Sequence, residues 1–191
     1  MKIAVLSVCF LIALLVIIII HRPTIIEHAD ISPLSKSELE YIPERWNRND
    51  IQPNNNCYAY VTNDMNNSRL EKPHPGFKHG IKTTKSNFVC DVLSKNILLD
   101  YPDAYKTTFD TPCRCGYYKA YLATDPGEDF HLYRQDSSGF WSHKPGSLKA
   151  TDLDASRRKI TNPETSDKTY KNFNYTDSCM FFCMPSENKS C

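Results

Sequence analysis

The pattern at the start of the chain is one-sided: Ile3 to Ile20 is apolar throughout except for Ser7, between Lys2 and the pair His21-Arg22. At a rise of about 1.5 Å per residue such a helix spans roughly 27 Å, close to the hydrocarbon thickness of a bilayer. No face of it is polar, so residues 1–22 are predicted to form a transmembrane signal-anchor, with residues 3–20 in the membrane, and not a core helix. A cleavable signal peptide has a shorter apolar stretch and small residues at its cut. This run ends Val-Ile-Ile-Ile-Ile-His-Arg-Pro; an uncleaved anchor is the expectation and cleavage its alternative.

Residues 23–50 carry Pro23, Pro33, Pro43 and many charges. They are expected to form a stalk, with one short helical turn possible at 35–41, where Ser35 would cap and Glu38 would reach back. Asn54-Asn55-Asn56 is turn-forming, and Cys57-Tyr58-Ala59-Tyr60-Val61 then opens a helix capped by Asn55 or Asn56. Between Ser86 and Leu99 apolar residues fall at 88, 89, 92, 93, 97 and 98, a helical spacing closed by Tyr101-Pro102. The second half is aromatic: 116–123 and 130–134 are predicted strands, Asp136-Ser137-Ser138-Gly139 a hairpin turn, and Phe140-Trp141-Ser142-His143 the returning strand. Residues 150–175 are polar and irregular, and Cys179 to Cys183 forms one last short strand. The elements give an α+β ectodomain over 51–191, a helix packed on a small antiparallel sheet.

Charge narrows the functional classes. The 191 residues carry 23 basic and 22 acidic side chains, so there is no electrostatic footprint for nucleic acid. The cysteines carry more. One of eight, Cys9, lies in the apolar run; Cys57, Cys90, Cys113, Cys115, Cys179, Cys183 and Cys191 follow it. That density points to an oxidising compartment. The sequons at Asn66, Asn174 and Asn188 agree with a glycoprotein whose C-terminal domain is extracellular or lumenal. Seven is odd, so one external cysteine is left over.

A nucleophilic thiol is favoured at a helix start beside an imidazole. Cys57 meets the first condition. His131 and His143 lie on either side of the hairpin turn, and antiparallel pairing can set them side by side as a base and its orienter. The competing readings are an inert histidine pair, or zinc held by Cys57, His131, His143 and one of Cys113 or Cys115. Zinc is disfavoured because Cys113-Arg114-Cys115 lacks the two-residue gap usual in zinc sites. No metal or cofactor is therefore expected.

Asn55-Asn56-Cys57-Tyr58-Ala59-Tyr60, Pro73-His74-Pro75-Gly76, Asp129-Phe130-His131-Leu132-Tyr133-Arg134-Gln135-Asp136 and Gly139-Phe140-Trp141-Ser142-His143-Lys144-Pro145-Gly146 resemble a little-characterised bacterial and viral group. It shares the motif order of NlpC-like hydrolases in the papain-like superfamily. The resemblance covers about residues 51–185 and implies a papain-like fold. It also implies a membrane-anchored thiol hydrolase of amidase or peptidase type, with Cys57 as nucleophile, His131 as general base and His143 as orienter. The substrate would be a peptide or another acyl compound. With Cys57 free, the other six external cysteines can form three disulfides, in 15 possible pairings. The alternative is an inactive papain-like protein on a cell or virion envelope, engaging envelope partners, with Cys57 disulfide-bonded and Cys191 left over.

Overall fold

A computed structural model describes residues 31–68, 70–189 and 191. Its helices are α1 (Pro43–Trp46), α2 (Cys57–Val61) and α3 (Cys90–Asp100); its strands are β1 (Tyr105–Thr107), β2 (Tyr117–Asp125), β3 (Asp129–Gln135), β4 (Trp141–His143) and β5 (Asp177–Pro185). The strands form one antiparallel sheet in the order β1-β5-β2-β3-β4. The C-terminal strand thus sits inside the sheet, between β1 and β2.

Strand β2 has seven consecutive buried residues, Tyr118 to Thr124, so both of its faces are covered. On one face Ala120, Leu122, Phe130, Leu132 and Phe182 pack against α2 and against Leu93 and Ile97 of α3. On the other, Tyr121, Tyr133, Trp141 and Phe181 pack against Ile160 and Tyr175. Among the described residues, the polar segment between Ala150 and Thr176 therefore covers this second face with irregular chain and not with helix. Three disulfides, Cys90–Cys179, Cys113–Cys183 and Cys115–Cys191, tie α3, the β1–β2 connection and the C-terminus to one another. Their sequence separations are 89, 70 and 76, and a loop of that size restricts the unfolded chain by about 4 kcal/mol in the chain-entropy picture. Cys113→Ser with Cys183→Ala is expected to lower stability by about 3 kcal/mol, read from the urea midpoint. An unchanged midpoint would show that the remaining two bridges already confine the chain.

The expected papain-like α+β fold preceded by a transmembrane helix is corrected. The described chain is mostly a five-stranded antiparallel sheet with a few short helices. Helix α2 is only five residues long, because Tyr, Val and Thr are weak helix formers and Asn63 turns left-handed at φ 56°. The final strand, expected to be short, runs for nine residues, and β1 carried too few residues to be noticed. Among the described residues no helix is long and apolar enough to cross a membrane. The predicted anchor at 1–22 lies outside the described residues. The single-pass membrane location is accordingly withdrawn, and the virion-surface placement that depended on it falls too. The described part of the 23–50 segment packs on the domain: Trp46 is 1% exposed and edges Tyr60 at 4.9 Å. At 35–41 there is no helix, although the Ser35 N–H does donate to Glu38 Oε1 (2.6 Å) as a capping pair would.

Candidate active site

Cys57 is brought to the sheet by three buried polar contacts from the hairpin. Tyr60 Oη and Ser142 Oγ meet at 2.6 Å, Arg134 Nη1 donates to Tyr60 O (3.2 Å), and Lys144 Nζ donates to Asn55 O (2.6 Å). Lys144, fully buried, also donates to Gln52 O (2.7 Å) and Gly146 O (2.8 Å). Its ammonium clamps the turn before Cys57 to the loop after β4, and burial pushes its pKa down to about 8. Asn56 caps α2 by accepting from the Ala59 N–H (3.1 Å).

The thiol thereby meets β3 at an unpaired edge. The β3–β4 ladder ends at the Tyr133–His143 pair, so two residues earlier that edge has no partner strand. There the Cys57 thiol donates to Phe130 O (3.9 Å), and the Leu132 N–H faces the sulfur. These two groups flank His131 on one strand edge. Cys57 is the free cysteine among the described residues, the other six described cysteines being bridged. With Cys113 and Cys115 in disulfides, the zinc set weighed above has lost its fourth ligand.

His131 and His143 point from the same face of the hairpin, with His131 Nε2 and His143 Nδ1 2.6 Å apart. The tautomers follow from the hydrogen bonds. His143 Nε2 lies 3.0 Å from Leu153 O, which can only accept, so Nε2 carries the proton and Nδ1 is a lone pair. His131 must then donate from Nε2, which leaves its Nδ1 unprotonated. Among the described residues nothing is hydrogen-bonded to that nitrogen. The His131 ring is stacked on Tyr175 (centroids 5.1 Å, 27°), and Tyr175 Oη donates to Asp129 Oδ2 (2.7 Å).

Burial sets the charges. It pushes the Cys57 thiol up to about 12, with the Asp129 carboxylate adding to the effect; the N–H groups of Leu132, Tyr58 and Cys57 itself oppose it. His131 is held well below its usual value by burial and then by His143, and burial lowers His143 to about 4. Asp129 is raised, again by burial first. The resting site thus holds a neutral thiol and two neutral imidazoles, and not a thiolate–imidazolium pair; His131 and His143 are joined to each other, while among the described residues the Cys57 thiol is hydrogen-bonded to Phe130 O and to neither ring.

Cys57, Asp129 and His131 border a cavity of about 550 Å³, whose walls include Phe130, Pro145, Leu148, Tyr170, Phe173 and Tyr175. His143 does not line it. Sequence reading missed Asp129, although it lies two residues before His131 and so on the same strand face; Tyr175 came from a stretch with no periodic signal. The other histidines of the described chain stand apart: His74 Nδ1 pairs with Thr83 Oγ1 (2.6 Å) and His79 with Asp100.

No family model and no solved structure matches the chain. One curated protein does: insoluble matrix shell protein 1 of Ruditapes philippinarum is 37% identical over 131 residues, spanning 66% of this chain and 79% of that protein. With this identity sustained over most of the relative's length, the chain belongs to the family of insoluble matrix shell protein 1.

Proposed function

We propose that the domain is a thiol hydrolase that cleaves an amide or related acyl bond through Cys57, His131 and His143. The observation that carries this reading is the hydrogen-bond chain Leu153 O, His143, His131, which leaves His131 Nδ1 a bare lone pair on a residue that lines the same cavity as Cys57. The neutral resting charges define the chemistry as general-base catalysis. As Sγ attacks the acyl carbon, its proton passes to His131 Nδ1, and the imidazolium formed is steadied by His143 through Nε2. The same proton then goes to the leaving amine or alkoxide as its bond to the acyl carbon breaks. Water attacks the thioester, giving a proton to Nδ1 and releasing the acid, and the proton returns to sulfur. The motif order of NlpC-like hydrolases supports the roles; the proposal rests on the site and not on a shared fold. Three disulfides and the shell-matrix relative support an extracellular location.

With 4-nitrophenyl acetate as substrate, a burst of nitrophenolate stoichiometric with protein is expected, together with an acetyl adduct that peptide mapping places on Cys57. Cys57→Ser should lose the burst and at least about 10³-fold in turnover. Turnover that persists in Cys57→Ser, or an adduct elsewhere, would overturn the assignment. The relative's name favours a second reading, a matrix assembly component with an idle site. That reading predicts a Cys57 that stays unacylated under the same conditions.

A further inference from the structure

Several polar groups of the cavity are already committed, although the Tyr170 hydroxyl is buried without a partner. Asn56 serves Ala59 N and Pro73 O, Ser147 Oγ takes Lys72 Nζ, and Asp129 takes the Tyr175 hydroxyl. A peptide lying there would bring an N–H and a C=O with every residue, each costly to bury unpaired. A hydrocarbon chain brings none. The walls suit it: Pro145, Leu148, Tyr170, Phe173 and Tyr175 all line the cavity. At the lips Leu148 is 66% exposed and Phe173 37%, two large apolar side chains left in water beside the opening.

Charge completes the description of the ligand. Lys72 and Lys171 line the same cavity, and Lys171 stands exposed with no acidic partner among the described residues. The one carboxylate present, Asp129, is turned to Tyr175 and raised by burial. The free charge at the site is positive.

Resting on the acyl-transfer reading above, we propose that the substrate is a fatty acyl ester with an anionic head. Its alkyl chain lies between Leu148 and Phe173, its carbonyl is at Cys57 and its negative group is beside Lys171. In the acylation step the Cys57 S–C bond forms, the ester C–O bond breaks, and the proton taken from sulfur by His131 leaves with the alkoxide. In the second step water provides the hydroxyl of the fatty acid and the proton that returns to sulfur.

The test is a series of carboxylated chromogenic esters, 4-nitro-3-acyloxybenzoates from acetyl to octanoyl, beside neutral 4-nitrophenyl esters of the same acids. Each buried methylene is worth about fourfold. Acetyl to octanoyl adds six methylenes; with about three to four of them buried, kcat/KM should rise about 100-fold, with a further gain for the carboxylated series. Leu148→Ser and Phe173→Ser, both at exposed positions, should cut the octanoyl-to-acetyl ratio about tenfold, and Lys171→Gln should remove the preference for the carboxylated esters. Alkylation of Cys57 by N-octyl iodoacetamide should likewise outpace iodoacetamide, a readout that needs no turnover. Cys57-dependent hydrolysis with a flat chain-length profile, or faster cleavage of peptide amides, would overturn the lipid assignment and leave the thiol mechanism standing. Absence of Cys57-dependent turnover with every ester, alongside faster octyl labelling, would overturn the mechanism and leave the apolar cavity assignment standing.

Discussion

His143→Leu is expected to lower kcat by about 10³- to 10⁴-fold while KM changes little. The side chain does not line the cavity; its part is to accept the His131 Nε2 proton, because its own Nε2 is committed to Leu153 O. Leucine fills the space but accepts nothing, so a buried N–H loses its partner and the His131 ring gains by placing its proton on Nδ1, where a base is needed. Losing the correct tautomer in a triad of this kind costs that order of rate. His143→Gln is the discriminating control. Its amide oxygen can take the His131 proton and its amide nitrogen can donate to Leu153 O, so most of the activity should return, within about 30-fold of the parent. A role confined to packing would give the opposite order, with leucine tolerated and glutamine harmful. The pH profile gives a second readout: His131 is held well below its usual value, so kcat/KM should stay level from about pH 8 to well under pH 6.5. It should fall as His143 protonates near pH 4 and stops accepting.

What could be read in advance follows the range of the interactions. The cap and opening of α2 are local, written in Asn56-Cys57 and in the Ala59 N–H three residues beyond the cap. The pairing of His131 with His143 is nearly local, because a hairpin fixes its own register; the observed partner of His143 is Tyr133, one pleat along the same face. The insertion of β5 between β1 and β2 is not local at all. Nothing in Asp177 to Pro185 specifies its neighbours, and only the burial of Phe181 on one face and Phe182 on the other shows why a central place suits it. Leu153 O is a backbone atom in a turn organised by Asp154, whose carboxylate accepts from Ser156 Oγ, Arg158 N and Asp167 N. A backbone acceptor has no residue identity, so the last member of the hydrogen-bond chain was invisible to a reading by residue type. The motif residues Arg134, Ser142 and Lys144 were visible but unexplained; they hold the Cys57 turn on the sheet.

Acidification from pH 6.5 to 4 is expected to destabilise the fold, and the histidine pair is the reason. Both rings are buried and neutral, with folded pKa values below the unfolded 6.5. Between those values the unfolded chain binds protons that the native state refuses, so stability rises with pH across the window and is lost as pH falls. For His143, lowered to about 4, the loss amounts to about 3 kcal/mol by the bottom of the window. Asp136 acts in the other direction. Burial raises it to about 6 against the opposing Arg134 charge, so the native state takes up its proton first, and acid returns about 3 kcal/mol between pH 6 and 4. These two contributions nearly cancel, which leaves the His131 loss, reduced by the smaller opposing contribution of Asp129, whose carboxyl burial also raises. His131→Gln should therefore flatten the dependence of the urea midpoint on pH below 6.5, whereas Asp136→Asn, lacking the compensating carboxylate, should steepen it. A midpoint that still rises on acidification in Asp136→Asn would mean that a histidine of the pair is charged in the native state, and the neutral general-base mechanism would fall with it.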